Sequence, residues 1–223
     1  MPRRKAAQEE LVLSDVHIQP AGHNTYKIRF ITSAGSNKAL LHHRNGNRAC
    51  TFLLSGAGGG LDGPASIYKD MGPDLLDKNI SSLRLDYREH NNLADCVLDT
   101  LIGIEFMKGQ GMEKSGIVGW SFGGAVAILA GIESDVVRAV ATVASQSYGT
   151  GTVGNLSPKA LLLLHGTGDH TLPPACSQDI YRRAKDPKEI VLYEGANHGI
   201  DQRRGEMLHK IEEFMVRYLG EEE

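Results

Sequence analysis

Residues 115–130 read Ser115-Gly-Ile-Val-Gly-Trp-Ser121-Phe-Gly-Gly-Ala-Val-Ala-Ile-Leu-Ala130. The apolar pair Ile117-Val118 predicts a buried strand, and the small and apolar run from Gly124 to Ala130 predicts a buried helix. A strand that turns sharply into a helix holds the residue at the turn, here Ser121, in a strained backbone conformation. The flanking glycines remove side chains that would collide with neighbouring backbone. The stretch therefore predicts a tight strand-to-helix turn that exposes a serine hydroxyl.

The composition is that of an ordinary globular protein of 223 residues, which is enough chain for one well-formed core. We therefore expect a single domain over residues 1–223, with residues 1–9 as a flexible tail. The formal net charge of −3 at pH 7 gives no electrostatic basis for binding nucleic acid or an anionic membrane surface. No apolar run is long enough to span a bilayer, so we expect no membrane association.

The number and spacing of the cysteines indicate the cellular compartment. Cys50, Cys96 and Cys176 are odd in number and far apart, which argues for reduced thiols rather than a disulfide framework or a zinc site. The basic residues near the N-terminus are not followed by an apolar segment, so no secretory signal is expected. A cytoplasmic protein is the resulting expectation, with a secreted protein that has lost its signal as the alternative. The sequence leaves the choice between monomer and homodimer open.

The order of predicted elements indicates the fold class. Strands are predicted at 12–18, 26–31, 39–41, 50–54, 80–85, 117–118, 136–143, 160–164 and 189–193. Helices are predicted from 93 to a stop at 109–111, and over 121–130, 175–185 and 207–218. Alternation from residue 49 onward predicts an α/β fold with a mostly parallel sheet and helices on both faces. Turns at 20–24 and 45–47 predict antiparallel N-terminal strands, and loop 145–158 is too short for a cap domain.

Polar residues that follow three of these strands form a candidate catalytic set. A serine hydroxyl needs a histidine to take its proton, and that histidine needs a carboxylate to fix its tautomer. Asp169 follows the strand 160–164 and His198 follows the strand 189–193. Carboxyl ends of parallel strands share one edge of the sheet, so Ser121, Asp169 and His198 are expected to meet there. Asp86, after the strand 80–85, is the alternative carboxylate.

Four segments together resemble the α/β-hydrolases, most closely the small, lidless serine hydrolases and carboxylesterases similar to dienelactone hydrolase. They are Leu54-Ser-Gly-Ala-Gly-Gly59, Gly119-Trp-Ser-Phe-Gly-Gly124, His165-Gly-Thr-Gly-Asp169-His-Thr-Leu-Pro173 and Gly195-Ala-Asn-His198-Gly. The chain order of serine, aspartate and histidine is also that of this family. The resemblance implies the α/β-hydrolase fold, and it implies an oxyanion hole formed by the backbone N–H groups of Ala57 and Phe122. Many relatives have histidine where this chain has Ser55, which leaves open how the loop is braced.

The expected activity is hydrolysis of short-chain or compact carboxylic esters, with no metal and no organic cofactor. A thioesterase, an amidase or peptidase, or a perhydrolase would use the same residues, and a binding protein that keeps only the fold is the non-enzymatic alternative. Tyr87, Tyr148 and His170 lie on the active edge and are candidate substrate contacts. His165 is interpreted as a packed, hydrogen-bonded residue, and Trp120 is expected to pack under the sheet.

Overall fold

A computed structural model describes residues 11–220. The expected tail at residues 1–9 lies outside the described residues. The strands are β1 Leu13–Gly22, β2 Thr25–Thr32, β3 Gly35–His42, β4 Ala49–Leu54, β5 Ile80–Asp86, β6 Lys114–Trp120, β7 Val137–Val143, β8 Ala160–Gly166 and β9 Lys188–Tyr193. The helices are α1 Tyr68–Leu76, α2 Leu93–Gly109, α3 Phe122–Glu133, α4 Ala175–Arg183 and α5 Arg204–Leu219.

Within residues 11–220 the strands form one sheet in the order β1-β2-β3-β5-β4-β6-β7-β8-β9. The pairs β1–β2, β2–β3 and β3–β5 are antiparallel, and the pairs from β5 to β9 are parallel. The central parallel strands β4, β6, β7 and β8 are apolar along most of their length, as strands buried on both faces of a sheet must be. The predicted mostly parallel sheet with antiparallel N-terminal strands is confirmed.

Helices cover both faces of the parallel region, as predicted. Residues of α1 and α5 pack into one buried cluster, whereas residues of α2, α3 and α4 pack into the other. No segment between residues 11 and 220 forms a cap over the carboxyl edge of the sheet, where the loop after β7 contains only a short turn of 3₁₀ helix at Val153–Asn155. None of the helices in this part of the chain has both the length and the apolar character of a membrane span.

The N-terminal strands are longer than the sequence patterns predict. The predicted turn at 20–24 is partly wrong, because β1 continues through Pro20 to Gly22 before the chain turns. Proline cannot donate a hydrogen bond, but β1 lies at the edge of the sheet, where a missing donor is tolerated. A hairpin-like turn at 45–47 would make β3 and β4 neighbours in the sheet. That prediction is wrong, because β5 lies between β3 and β4.

Candidate active site

Ser121 occupies a strained turn between β6 and α3. Its φ of 56° and ψ of −118° lie in a region that residues with a side chain rarely adopt, at a cost of about 1–3 kcal/mol. The predicted sharp turn is therefore present. A Cβ atom on Gly119 would lie 2.0 Å from the carbonyl oxygen of Gly123, and one on Gly123 would lie 2.3 Å from that of Ser55. The turn can form only because both positions are glycine.

Asp169 and His198 are hydrogen bonded to each other. Nδ1 of His198 lies 2.7 Å from Oδ2 of Asp169, and Oδ1 accepts hydrogen bonds from the amides of Thr171 and Leu172 at 2.8 and 3.0 Å. Burial alone would raise the pKa of Asp169, but hydrogen bonds from His198 and the two amides outweigh burial and lower the pKa. Asp169 is therefore a carboxylate at neutral pH, and it fixes His198 with the proton on Nδ1 and Nε2 free to accept.

A second histidine shares the same carboxylate oxygen. Nε2 of the fully buried His165 lies 3.1 Å from Oδ2 of Asp169 and 3.0 Å from the carbonyl oxygen of Leu172, so Nε2 carries the proton. Nδ1 lies 2.7 Å from Oγ of Ser177 and accepts its hydrogen bond. Burial is the main cause of a lowered pKa of His165, which keeps the ring neutral. The neutral ring thus holds Asp169 in the buried part of the site.

The lowered pKa of His165 has a consequence for stability. Between the unfolded pKa of about 6.5 and the lower folded value, the unfolded chain binds a proton that the folded chain does not, so stability falls as pH falls. We expect His165→Gln, which keeps a donor toward Asp169, to lose less stability than wild type between pH 7 and pH 5. Urea unfolding midpoints at both pH values measure this. Equal losses in the two proteins would contradict the expectation.

Trp120 connects His198 to the serine turn. Its indole Nε1 donates to the carbonyl oxygen of His198 at 3.2 Å, and the two rings lie 5.5 Å apart between centroids. As expected, the partly buried side chain of Trp120 packs against the cluster that α1 and α5 form on one face of the sheet, and it also contacts the loop that carries His198. The structure therefore brings Asp169 and His198 into direct contact and places His198 beside the residue that precedes Ser121. The Ser121 hydroxyl has no hydrogen bond to another residue of the described chain.

The loop after β4 lies directly against the serine turn. A Cβ atom on Gly56 would lie 3.3 Å from Cβ of Ser121, so the residue that precedes Ala57 packs against the serine turn. Phe122 is the first residue of α3, and the first amides of a helix have no partner within it. Among hydrogen bonds formed within residues 11–220, none uses the N–H of Ala57 or of Phe122. Both N–H groups are therefore free to donate to another acceptor, and their role as an oxyanion hole stays a prediction.

The loop has a brace in place of the histidine that relatives carry. The Ser55 hydroxyl donates to the carbonyl oxygen of Gly60, and Oδ1 of Asp86 accepts from the Gly60 amide at 2.9 Å. Oδ1 of Asp86 also lies 3.0 Å from Nε2 of His90, whose ring leaves no room for a Cβ atom on Gly59. Asp86, the alternative candidate for the catalytic carboxylate, thus holds the loop after β4. His198 is hydrogen bonded to Asp169 and not to Asp86. Sequence reasoning missed His90, although its place four residues after Asp86 at a strand end was a signal.

The three candidate substrate contacts differ in exposure. Tyr87 is only 4% exposed, and its hydroxyl donates to the carbonyl oxygen of Ser55 at 3.4 Å. It therefore supports the loop after β4 and has little surface for a substrate. Tyr148 is 81% exposed in the loop after β7. His170 is exposed beside Asp169. Tyr148 and His170 therefore keep surface that a substrate can reach.

Comparison with known proteins places the fold. No family model matches the chain. The uncharacterised protein YfhR of Escherichia coli O157:H7 is 30% identical over 114 residues, which are 50% of this chain and 39% of that protein. The match thus covers well under half of the relative's length.

Among solved structures, dienelactone hydrolase from Anabaena variabilis superposes with a TM-score of 0.74 at 17% identity, over 88% of this chain and all of that chain. The esterase Pf2001 of Pyrococcus furiosus superposes with a TM-score of 0.73 at 18% identity, over 88% of this chain and 93% of that chain. At this level of sequence identity, the structural similarity establishes only the fold. The chain has the α/β-hydrolase fold.

Proposed function

We propose that this protein is a serine hydrolase that cleaves carboxylic esters through an acyl-enzyme. The observation that carries the proposal is the 2.7 Å hydrogen bond between His198 and the buried carboxylate of Asp169, on a loop that Trp120 ties to the strained turn at Ser121. Nucleophilic catalysis by a hydroxyl requires a carboxylate that fixes a histidine and a serine within reach of that histidine, and here His198 is fixed by a buried aspartate and lies beside Trp120, the residue that precedes Ser121. The names of the structural neighbours, an esterase and a dienelactone hydrolase, agree with this chemistry.

The reaction proceeds in two halves. Oγ of Ser121 attacks the ester carbonyl while Nε2 of His198 takes its proton, and Asp169 stabilises the resulting imidazolium. The amides of Ala57 and Phe122 donate to the oxyanion, and the positive end of α3 adds to their effect. His198 then gives its proton to the leaving alcohol, which leaves an acyl group on Ser121. Water, activated by His198, releases the acid and restores the serine.

The open carboxyl edge favours short acyl groups. Within residues 11–220 no cap covers the serine turn, and the neighbouring loop after β7 exposes Tyr148 to solvent. A long acyl chain would lie largely in water and gain little from binding, because apolar transfer energy depends on the area removed from water. We therefore propose short-chain or compact esters as substrates.

A panel of p-nitrophenyl esters tests both parts of this proposal. We expect kcat/KM for the acetate and butyrate to exceed that for the dodecanoate by about tenfold or more. The Ser121→Ala variant, run on the same panel, corrects for background hydrolysis. Faster cleavage of the dodecanoate would contradict the chain-length preference. Equal rates for wild type and variant on every ester would contradict ester hydrolysis by Ser121.

We also propose a cytoplasmic location. Cys50, Cys96 and Cys176 are free thiols in the structure, and burial raises the pKa of the Cys96 thiol to about 12. Unpaired thiols fit a reducing compartment. Fractionation of the cells that express the protein, followed by immunoblotting, tests the location, and recovery from the culture medium would contradict it.

A further inference from the structure

Away from Ser121, strands β1, β2, β3 and β5 present a face that is rich in cationic side chains. The register of these strands aligns two neighbouring rows of residues. The first row is Gln19, Lys27, Leu40 and Arg84, and the second is His17, Arg29, Lys38 and Asp86. Residues that alternate with them, such as Ile28 and Ala39, are buried in the core. Because successive side chains on a strand point to opposite faces, the two rows lie on the outer face.

Three of these cations are unpaired and close together. Lys27, Arg29 and Lys38 are exposed and form no hydrogen bond or ion pair with any residue between 11 and 220. Arg29 and Lys38 are direct cross-strand partners, so their Cα atoms are about 4.5–5.5 Å apart. Lys27 lies two residues along β2 from Arg29, a distance of about 7 Å. Like charges that oppose each other across a sheet repel, and an anion bound between them would replace that repulsion with attraction.

The carboxylates around this face are fewer than its lysine and arginine side chains, and among residues 11–220 none of them forms an ion pair with Lys27, Arg29 or Lys38. Asp15, Asp62 and Asp86 lie nearby, and each has a partner of its own. Asp15 contacts the imidazole of His17 at 2.9 Å, and Asp62 pairs with Arg84 at 2.6 Å and with Lys69 at 2.9 Å. Asp86 contacts the imidazole of His90 at 3.0 Å and the amide of Gly60 at 2.9 Å. The face therefore carries an excess of positive charge in a chain whose formal net charge is −3.

The same residues line a cavity of about 760 Å³. That volume lies within the range of roughly 300–1,000 Å³ that is usual for small-molecule sites. The charged side chains of the lining are one acid and five cations, namely Asp62, Lys27, Arg29, Lys38, Lys69 and Arg84. The side chain of Arg84 is only 7% exposed, and its Nε donates to the carbonyl oxygen of Leu61. Leu40 and Leu61 add apolar surface, so the cavity offers a cationic region beside an apolar wall.

We propose that this cavity binds a small organic phosphate. A phosphate group carries about −1.5 to −2 charge at neutral pH and offers three acceptor oxygens. Those oxygens match the guanidinium of Arg29 and the two ammonium groups of Lys27 and Lys38, since charge-assisted hydrogen bonds to phosphate are the strong ones. The organic part of the ligand packs against Leu40 and Leu61. The site is separate from Ser121 and does not depend on the proposed hydrolase activity.

Isothermal titration calorimetry of the full chain with ADP, pyrophosphate and adenosine tests the proposal. We expect ADP to bind at least as tightly as pyrophosphate, and adenosine to bind at least about tenfold more weakly than ADP. The double substitution Arg29→Ala with Lys38→Ala should weaken ADP binding by about tenfold or more, because it removes two charge-assisted contacts. The matched control is Lys185→Ala with Arg217→Ala, which removes one exposed lysine and one exposed arginine elsewhere and should leave ADP affinity unchanged.

Binding to Ser121→Ala protein separates this site from the serine turn, and we expect ADP affinity equal to that of wild type. No heat from ADP at millimolar concentration would overturn the proposal. So would equal affinities for ADP and adenosine, because the phosphates would then contribute nothing. An equal loss of affinity in the two double variants would overturn it as well, since binding would then follow total charge rather than this cavity. Both double variants change exposed side chains, and circular dichroism checks that they fold.

Discussion

Ester hydrolysis by the Ser121→Ala variant is expected to fall by roughly 10⁴-fold or more relative to wild type. The alanine removes the nucleophile but leaves the turn, since a methyl group fits where the hydroxymethyl group stood. The strained φ of 56° remains, so the variant should fold with nearly unchanged stability. Steady-state kinetics on p-nitrophenyl butyrate gives the rate, and urea unfolding gives the stability.

Ser36→Ala is the matched control for the nucleophile, because Ser36 is exposed on β3 and far along the sheet from β6. We expect it to keep wild-type kcat/KM. A Ser121→Ala protein that is folded and hydrolyses the ester at more than about a tenth of the wild-type rate would remove Ser121 from the mechanism.

Asp169→Asn is expected to lower kcat by about 10⁴-fold, because the wrong histidine tautomer then forms. Oδ1 of the residue must still accept the amides of Thr171 and Leu172, so the new NH₂ group takes the place of Oδ2. That group can only donate to His198, which must then carry its proton on Nε2 and cannot accept one from Ser121. The same NH₂ group would face the N–H of His165, so two donors would be buried without an acceptor between them. We therefore also expect a loss of folding stability of about 1–3 kcal/mol.

Asp86→Asn is the control that distinguishes the two carboxylates. Asp86 braces the loop that carries Ala57, so its substitution should lower kcat far less than Asp169→Asn does. A larger loss of kcat in Asp86→Asn than in Asp169→Asn would contradict the assignment of the acid. Stopped assays on folded protein, with urea midpoints measured in parallel, separate lost chemistry from lost structure.

The pH dependence of Asp169 follows from its lowered pKa. Its hydrogen bonds stabilise the folded chain fully above the unfolded pKa of about 3.9, and that stability is lost as pH falls through the lower folded value. We therefore expect Asp169 to stay ionised throughout the pH range above 4. Any loss of activity between pH 7 and pH 5 must come from another group.

Much of the fold follows from the sequence because the central strands are largely apolar runs, α3 is small and apolar along most of its length, and α5 has a clear amphipathic period. Helix α1 was not predicted, since Gly72 and Pro73 lie inside it and both residues normally interrupt a helix. Local sequence patterns also could not predict that β5 lies between β3 and β4, because strand order depends on contacts between residues that are distant in sequence.

The candidate site likewise has features that the sequence predicts and features that it does not. The positions of Ser121, Asp169 and His198 at strand ends were predictable, because each follows an apolar run. The sharing of Asp169 between His165 and His198 was not, since it depends on how two loops fold over each other. The burial of Tyr87 was likewise hidden, because a tyrosine after a strand can face either solvent or core.

The central claim is that Ser121 is a nucleophile activated by His198, and labelling with a fluorophosphonate followed by intact-mass measurement tests it most directly. The reagent forms a stable adduct only with an activated hydroxyl. We expect wild type to gain the mass of one adduct, Ser121→Ala to gain none, and His198→Ala to react at least about 10³-fold more slowly. No adduct on folded wild type, or an adduct that persists in Ser121→Ala, would contradict the claim.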